Sequence, residues 1–253
     1  MGEERPLSEI QSLARGLRIL DILGTTDDSV GITELAAQLE MDKSSVSRMM
    51  QTLATYGYAE QDPGTRRYRL GPQVVSLGQA LLRRMPLRDQ ANPFLHRLVE
   101  ITGECAHLGI LAQGQVLYID QVESPATLRV NTGIGTLAPL HSTALGKCLL
   151  AFGDVPVPGT LEAFTARTIT DHRTLEAHLS QTRRQGYAVD DEEYSYGVRC
   201  VAVPVYDYRS YVVGAVGISG PAGRIGLERL PALAAEVREV GESLSSKLSF
   251  KRQ

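Results

Sequence analysis

The sequence predicts an α+β chain in two parts, an N-terminal winged helix-turn-helix followed, beyond a connecting helix, by a mixed α/β domain. Three observations carry this. Apolar residues recur every three or four positions as far as Tyr56, a basic hairpin pattern follows around Asp62, and from Glu104 short β-type runs replace the helical spacing. The 253 residues leave room for two modest domains, and 43% hydrophobic against 22% charged residues is an ordinary globular balance. No apolar run approaches the ~20 residues of a bilayer span, and Met1 to Pro6 lack the basic and apolar regions of a secretory signal. The expectation is a cytoplasmic protein with no membrane partner. Cys105, Cys148 and Cys200 are odd in number and widely spaced, so they form neither a disulfide framework nor a CxxC knuckle and are expected as free thiols.

Taken in order, Ile10, Leu13, Leu17 and Leu20 form one helical stripe over Ser8–Gly24, with Gly24 as its stop. Thr33 is the expected N-cap of a short second helix, Glu34–Glu40, carrying Leu35, Ala36 and Leu39 inward. Asp42 or Ser44 then caps a third helix to about Tyr56, with Val46, Met49, Met50 and Leu53 on its inner face and Gly57 ending it. Tyr58–Gln61, the turn Asp62-Pro63-Gly64-Thr65 and Arg66–Leu70 read as a hairpin, closed by Gly71-Pro72. Helix, short helix, turn, helix and hairpin is the order of a winged helix-turn-helix, placed at residues 8–71. Val74, Leu77, Leu81 and Met85 mark a linker helix over residues 72–85, stopped or bent at Pro86. The second domain, residues 86–250, opens with a helix to about Thr102. Strands are expected at Ala106–Ala112, Val116–Glu123, Val198–Tyr206 and Val212–Ser219, and helices at Ala144–Phe152, Leu175–Gln185 and Leu227–Leu248.

The net charge of −3 gives no global sign of nucleic-acid binding. Residues 1–70 hold 8 Lys/Arg against 11 Asp/Glu, again −3. From Lys43 to Leu70, however, five cations (Lys43, Arg48, Arg66, Arg67, Arg69) face two acids (Glu60, Asp62), a local +3. Reading DNA needs a helix that fits the major groove, a short polar face that reaches base edges, and cations or amides for phosphates. Lys43, Ser44, Ser45, Ser47, Arg48 and Gln51 form such a face. Arg66 and Arg67 in the hairpin, with Thr33 at a helix N-terminus, are placed to meet phosphate or minor groove. Arg48 and Gln51 are the expected base readers, because Arg suits guanine and Gln adenine. Singly, each residue is as readily a solvated surface group; the acid-free face, the preceding helix and the basic hairpin together point to double-stranded DNA.

Further along, Pro139-Leu140-His141-Ser142-Thr143-Ala144-Leu145-Gly146-Lys147-Cys148, Gly186-Tyr187-Ala188-Val189-Asp190-Asp191-Glu192-Glu193, Gly197-Val198-Arg199-Cys200-Val201-Ala202-Val203-Pro204-Val205 and Ile218-Ser219-Gly220-Pro221 resemble, in order, the signatures of IclR-type transcriptional regulators. Ser12-Leu13-Ala14-Arg15-Gly16-Leu17-Arg18-Ile19-Leu20 and Tyr68-Arg69-Leu70-Gly71 match that family too, so the resemblance runs from about Ser12 to Leu248. It implies a GAF-like effector-binding domain after the linker helix, a homodimer or dimer of dimers on operator DNA, and control of a catabolic operon by a small organic or aromatic acid. It also implies an effector pocket lined by Ala144, Leu145, Asp190, Cys200 and Ser219, with Leu128, Val130 and Val198 as apolar walls. The helix after Thr143 offers free N–H groups to a carboxylate. Family members that take very small keto acids carry small residues in place of Ala144-Leu145 and a second serine in place of Gly217. The departure favours an aromatic or medium-sized carboxylate, with Tyr187, Tyr194 and Tyr196 as candidate walls.

Two other chemistries compete. A cysteine-dependent enzyme acting on a small carboxylate or acyl substrate would use Cys200 or Cys148 as nucleophile, His141 as base and Asp190 or Glu192 as orienter. Nothing in the spacing requires it, and no enzyme is expected. A metal centre would recruit Cys105 with His107, or His141 with Cys148, but two ligands are not a site, and neither metal nor cofactor is expected. Apart from Asp190, the acidic run to Glu193 reads as a solvated loop, and Lys247, Lys251 and Arg252 as a charged tail.

Overall fold

The computed structural model describes residues 10–26 and 28–249. The expected helix start at Ser8 and the tail residues Lys251 and Arg252 lie outside them. The chain divides into two compact units, the first ending at Arg84 and the second beginning at Met85.

In the first unit α1 spans Gln11–Thr25, α2 Ile32–Gln38 and α3 Lys43–Thr55; β1 (Ala59–Gln61) and β2 (Tyr68–Leu70) form the hairpin, and α4 (Gln73–Leu82) follows. Ile19, Leu23, Val30, Leu35, Ala36, Val46, Met50, Ala59 and Tyr68 are its core. The stripe that reveals α1 is not the one it buries: Ile10, Leu13 and Leu17 are exposed, while Ile19 and Leu23 face inward. The second helix is capped by Gly31 and not by Thr33, because the Glu34 carboxylate reaches back to accept from the Gly31 amide at 3.2 Å. Asp42 caps α3, its Oδ1 accepting from the Ser45 amide at 2.8 Å and the Ser44 hydroxyl at 2.6 Å, and those bonds hold its carboxyl well below the usual range. At the far end Gly57 takes φ +76°, a left-handed exit that glycine adopts without a Cβ penalty. Asp62 Oδ1 accepts from the Gly64 and Thr65 amides, which folds the hairpin tip.

The second unit opens with α5 (Pro86–Thr102), begun by Pro86 at a position where no amide is needed and ended by left-handed Gly103. Then come β3 (Cys105–Ala112), β4 (Gln115–Val122), β5 (Leu137–Ala138), α6 (Ala144–Phe152), α7 (His172–Gln185), β6 (Ala188–Asp191), β7 (Val198–Tyr206), β8 (Val212–Pro221) and α8 (Leu230–Ser249). The strands form one antiparallel sheet, order β5-β4-β3-β8-β7-β6. Alternation along β7 sends Val201, Val203 and Val205 towards α8, where Gly241 allows close approach to Val203, and Cys200 and Ala202 towards α6. Helices therefore cover both faces: α5 and α8 one, α6 and α7 the other. Each fully buried Leu or Ile in such a layer contributes about 1.5–3 kcal/mol. Pro204, inside β7, is tolerated because β6 reaches only as far as Ala202.

Candidate functional site

On the first unit, α3 presents Lys43, Ser44, Arg48 and Gln51 to solvent, with Ser45 and Ser47 half-buried beside them. Lys43, Arg48 and Gln51 carry no ion pair among the described residues, so α3 offers two free cations and an amide on one short face. A groove runs between the start of α2, α3 and the hairpin, lined in part by Thr33, Ser47, Gln51, Thr65 and Arg66. The two hairpin arginines part company here. Arg66, at φ +60°, is exposed at the tip. Arg67 instead makes a two-pronged pair with Glu34 (2.9 and 2.8 Å) and donates to the Ser29 carbonyl from Nε and Nη2 (3.0 and 2.6 Å). That bonding holds the Glu34 carboxyl below its ordinary value. The expected phosphate contact at Arg67 is thus corrected: its guanidinium fork is already filled, and it braces the hairpin against α2.

In the second unit a cavity of 250 Å³ opens between α6 and the sheet. The sheet register builds its floor. Cross-strand partners point to one face, and the pairs Asp190–Cys200 and Cys200–Ser219 put those three side chains in a row. The next row on that face is Ala202, Gly217 and His107. Over the floor stands the first turn of α6, where Thr143 Oγ1 caps by accepting from the Gly146 amide at 3.1 Å. The Ala144 and Leu145 amides find no acceptor among the described residues, so the helix presents two free donors and its positive end at the cavity.

Val130, Ala144, Leu145, Asp190, Val198, Cys200 and Ser219 all line this cavity. Leu128 does not. Its side chain is 69% exposed, because Arg224, held in a two-pronged pair on Glu104, anchors the Leu128 carbonyl at 2.7 Å and turns the residue outward. Of the three tyrosines, Tyr194 lines the cavity, whereas the Tyr196 hydroxyl accepts from the Ala166 amide and Tyr187 stands elsewhere. The lining also includes His107, Tyr118, Asn131, Thr132, Thr136 and Ser195, none of which sequence reasoning selected for an effector. The one available signal was the shared strand face of Cys105 and His107; that β3 pairs with β8 is not legible in the sequence.

Burial sets the electrostatics. Asp190, 2% exposed, has its carboxyl pushed up to about 7 by desolvation, against the pull of nearby Lys147 and of the Glu193 amide at 2.8 Å. Cys200, which lines the cavity, is driven well above the ordinary thiol range by burial and by the Asp190 charge. His107 is pulled down to about 4 by desolvation and is neutral at physiological pH. Behind the row, Lys147, fully buried, pairs with the Glu193 carboxylate, itself 4% exposed. The expectation of a solvated acidic run is therefore corrected. Glu193 neutralises a buried lysine, Asp191 pairs with Arg199 and Arg167, and the run folds over the edge of β6 instead of lying in solvent.

These contacts leave no assembled nucleophile. The Cys148 thiol donates to the Ala202 carbonyl and is raised by burial, and His141 bonds the Glu162 carbonyl through Nε2. Cys148 and Cys200 are both raised by burial, and the Asp190 carboxylate beside Cys200 raises it further, the opposite of the lowered pKa that thiolate chemistry needs. Cys105 accepts from the Ser124 amide, and among the described residues no three His, Cys, Asp or Glu side chains gather around one point. Among the same residues no helix is long and apolar enough to cross a membrane.

Comparison with known proteins gives a consistent result. Residues 79–246 match the family model of the bacterial transcriptional regulator IclR C-terminal domain, and residues 12–63 that of the IclR helix-turn-helix domain. The chain is 39% identical to the HTH-type transcriptional regulator BhcR of Paracoccus denitrificans, over 93% of this chain and 86% of that one. To the HTH-type transcriptional regulator XynR of Escherichia coli it is 34% identical, covering 95% of this chain and 98% of the other. Among solved structures, the IclR of Thermotoga maritima superposes with a TM-score of 0.74 at 31% identity, covering 96% and 100% of the two chains.

Proposed function

The chain belongs to the IclR family of DNA-binding transcriptional regulators, and from that premise we propose that it is gated by a small monocarboxylate held in the cavity beneath α6. The observation that carries this reading is the convergence of two free helix amides, Asp190, Cys200 and Ser219 on one cavity. At about 30 Å³ per water, 250 Å³ corresponds to roughly eight waters, room for an acid of similar heavy-atom count. The polar floor argues for a medium-sized acid with oxygen substituents over a plain aromatic one.

Lys43, Ser44, Ser45, Ser47, Arg48 and Gln51 are the proposed major-groove residues, with Arg66 and Thr33 at phosphates and Arg67 bracing them. The exposed apolar residues Ile10, Leu13 and Leu17 on α1, and Val75, Leu77 and Leu81 on α4, support a homodimer in which each copy covers the other's stripe. Residues 72–85 would carry the effector signal to the DNA-binding unit, in the cytoplasm where operator DNA resides. A thermal-shift panel of small monocarboxylates, repeated in a DNA mobility-shift assay, tests the reading. A stabilising acid that also changes DNA affinity supports it; stabilisation with no change in DNA affinity refutes the gating.

A further inference from the structure

His107 is a buried polar residue of the cavity that the regulator reading leaves without work. It is 3% exposed, lines the cavity, and stands edge-on to Tyr118 with ring centroids 5.5 Å apart. Its Nε2 lies 2.5 Å from Ser219 Oγ, while its Nδ1 has no hydrogen-bond partner. The nearest relief would be Gln121, its partner on β4. Gln121 Nε2 donates to Asn131 Oδ1 at 2.8 Å and Oε1 accepts from the Gly133 amide at 3.1 Å; the rest of the amide draws the imidazole's pKa upward against desolvation but makes no hydrogen bond to Nδ1.

The residue opposite His107 on β8 is Gly217, and a Cβ there would lie 2.3 Å from the Val201 carbonyl oxygen. The same Cβ would also press on Ala202, so this position stays bare beside the imidazole. A buried imidazole nitrogen without a partner costs about 1–3 kcal/mol unless a ligand satisfies it.

We infer that His107 and Ser219 form a second polar seat, and that the effector is a hydroxy-carboxylate whose hydroxyl bonds this pair while its carboxylate sits at the amides of Ala144 and Leu145. The inference rests on the carboxylate reading above and narrows it. A neutral imidazole has one donor and one acceptor nitrogen, and which is which depends on its tautomer. A hydroxyl fits either, since it both donates and accepts. A second carboxylate would meet no cation at this end, and an alkyl group would leave Nδ1 unpaired. His107 thereby sets specificity.

The test uses the full chain and calorimetric titration with straight-chain monocarboxylates of three to six carbons, each beside its ω-hydroxy counterpart. For at least one length the hydroxy acid is expected to bind roughly tenfold tighter or better. His107→Leu should abolish that advantage, the hydroxy acid then binding no tighter than its plain counterpart. Side-chain 15N NMR of the wild-type protein provides a readout that needs no variant, because the hydroxy acid should move the His107 Nδ1 resonance and the plain acid should not. Equal affinities within every pair, or an unmoved Nδ1 resonance on saturation, overturn the second seat and leave the carboxylate reading standing. If no member of either series binds, the carboxylate reading itself fails.

Discussion

Asp190 shows how a single residue can set the behaviour of the cavity. Burial moves its carboxyl from the ordinary 3.8 to about 7, so the row Asp190, Cys200, Ser219 is close to neutral in mildly acidic solution and gains a negative charge above neutrality. A carboxylate ligand entering beside it should take up a proton. Affinity should then fall by up to about tenfold per pH unit above ~7, and Asp190→Asn should flatten that slope in titrations at about pH 6 and pH 8. A slope unchanged in the variant would remove Asp190 from the site. The sign for stability follows from the same shift. With the folded pKa above the unfolded one, the contribution is full below pH 3.8 and is lost as pH rises through about 7. At the DNA surface Arg48 and Arg67 separate cleanly. Arg48→Ala should leave the melting temperature unchanged and erase the preference for specific over random duplex. Arg67→Ala releases Glu34 and the Ser29 carbonyl, so it should lower the melting temperature and weaken all duplexes alike.

Among the elements, those with long, well-bounded patterns were the legible ones. α6 lies where its spacing places it, between the Thr143 cap and Gly153, and β3, β4, β7 and β8 agree to within a residue or two because glycine turns and β-branched runs bound them. β5, two residues long, and β6, four, are too short to show a period, and with β6 went the true setting of the acidic run. Spacing also reveals that α1 and α4 are amphipathic without saying which face the fold buries; an apolar stripe left exposed looks the same in sequence as one facing a core. The pairing of Lys147 with Glu193 spans forty-six positions and no local pattern announces it. Because both groups are buried, Lys147→Met should cost about 3–5 kcal/mol by stranding the Glu193 carboxylate, and adding Glu193→Leu should recover much of it, as denaturant melts of the two variants would show. If the double variant is no more stable than the single, the cost lies in packing and not in charge.

For the molecule as a whole, two exposed stripes predict self-association and a ligand-sized cavity predicts gating. Leu17 and Leu77 are each at least half exposed, so Leu17→Asp with Leu77→Asp should leave the melting transition in place while shifting sedimentation from dimer to monomer and weakening DNA binding. An unchanged sedimentation coefficient would remove both stripes from any interface between copies. A ligand moves the DNA equilibrium only through its differential affinity for the two states, and a coupling of ~1–3 kcal/mol gives a ~5–150-fold change in DNA affinity. The direct test is a fluorescence-anisotropy titration of the full chain with labelled duplex from upstream of its own gene, with and without a saturating acid that raises the melting temperature. The account predicts tighter binding to that duplex than to random DNA and a midpoint displaced by at least fivefold when the acid is added, with the displacement lost in Ser219→Ala. Superimposable curves with and without the acid would contradict it.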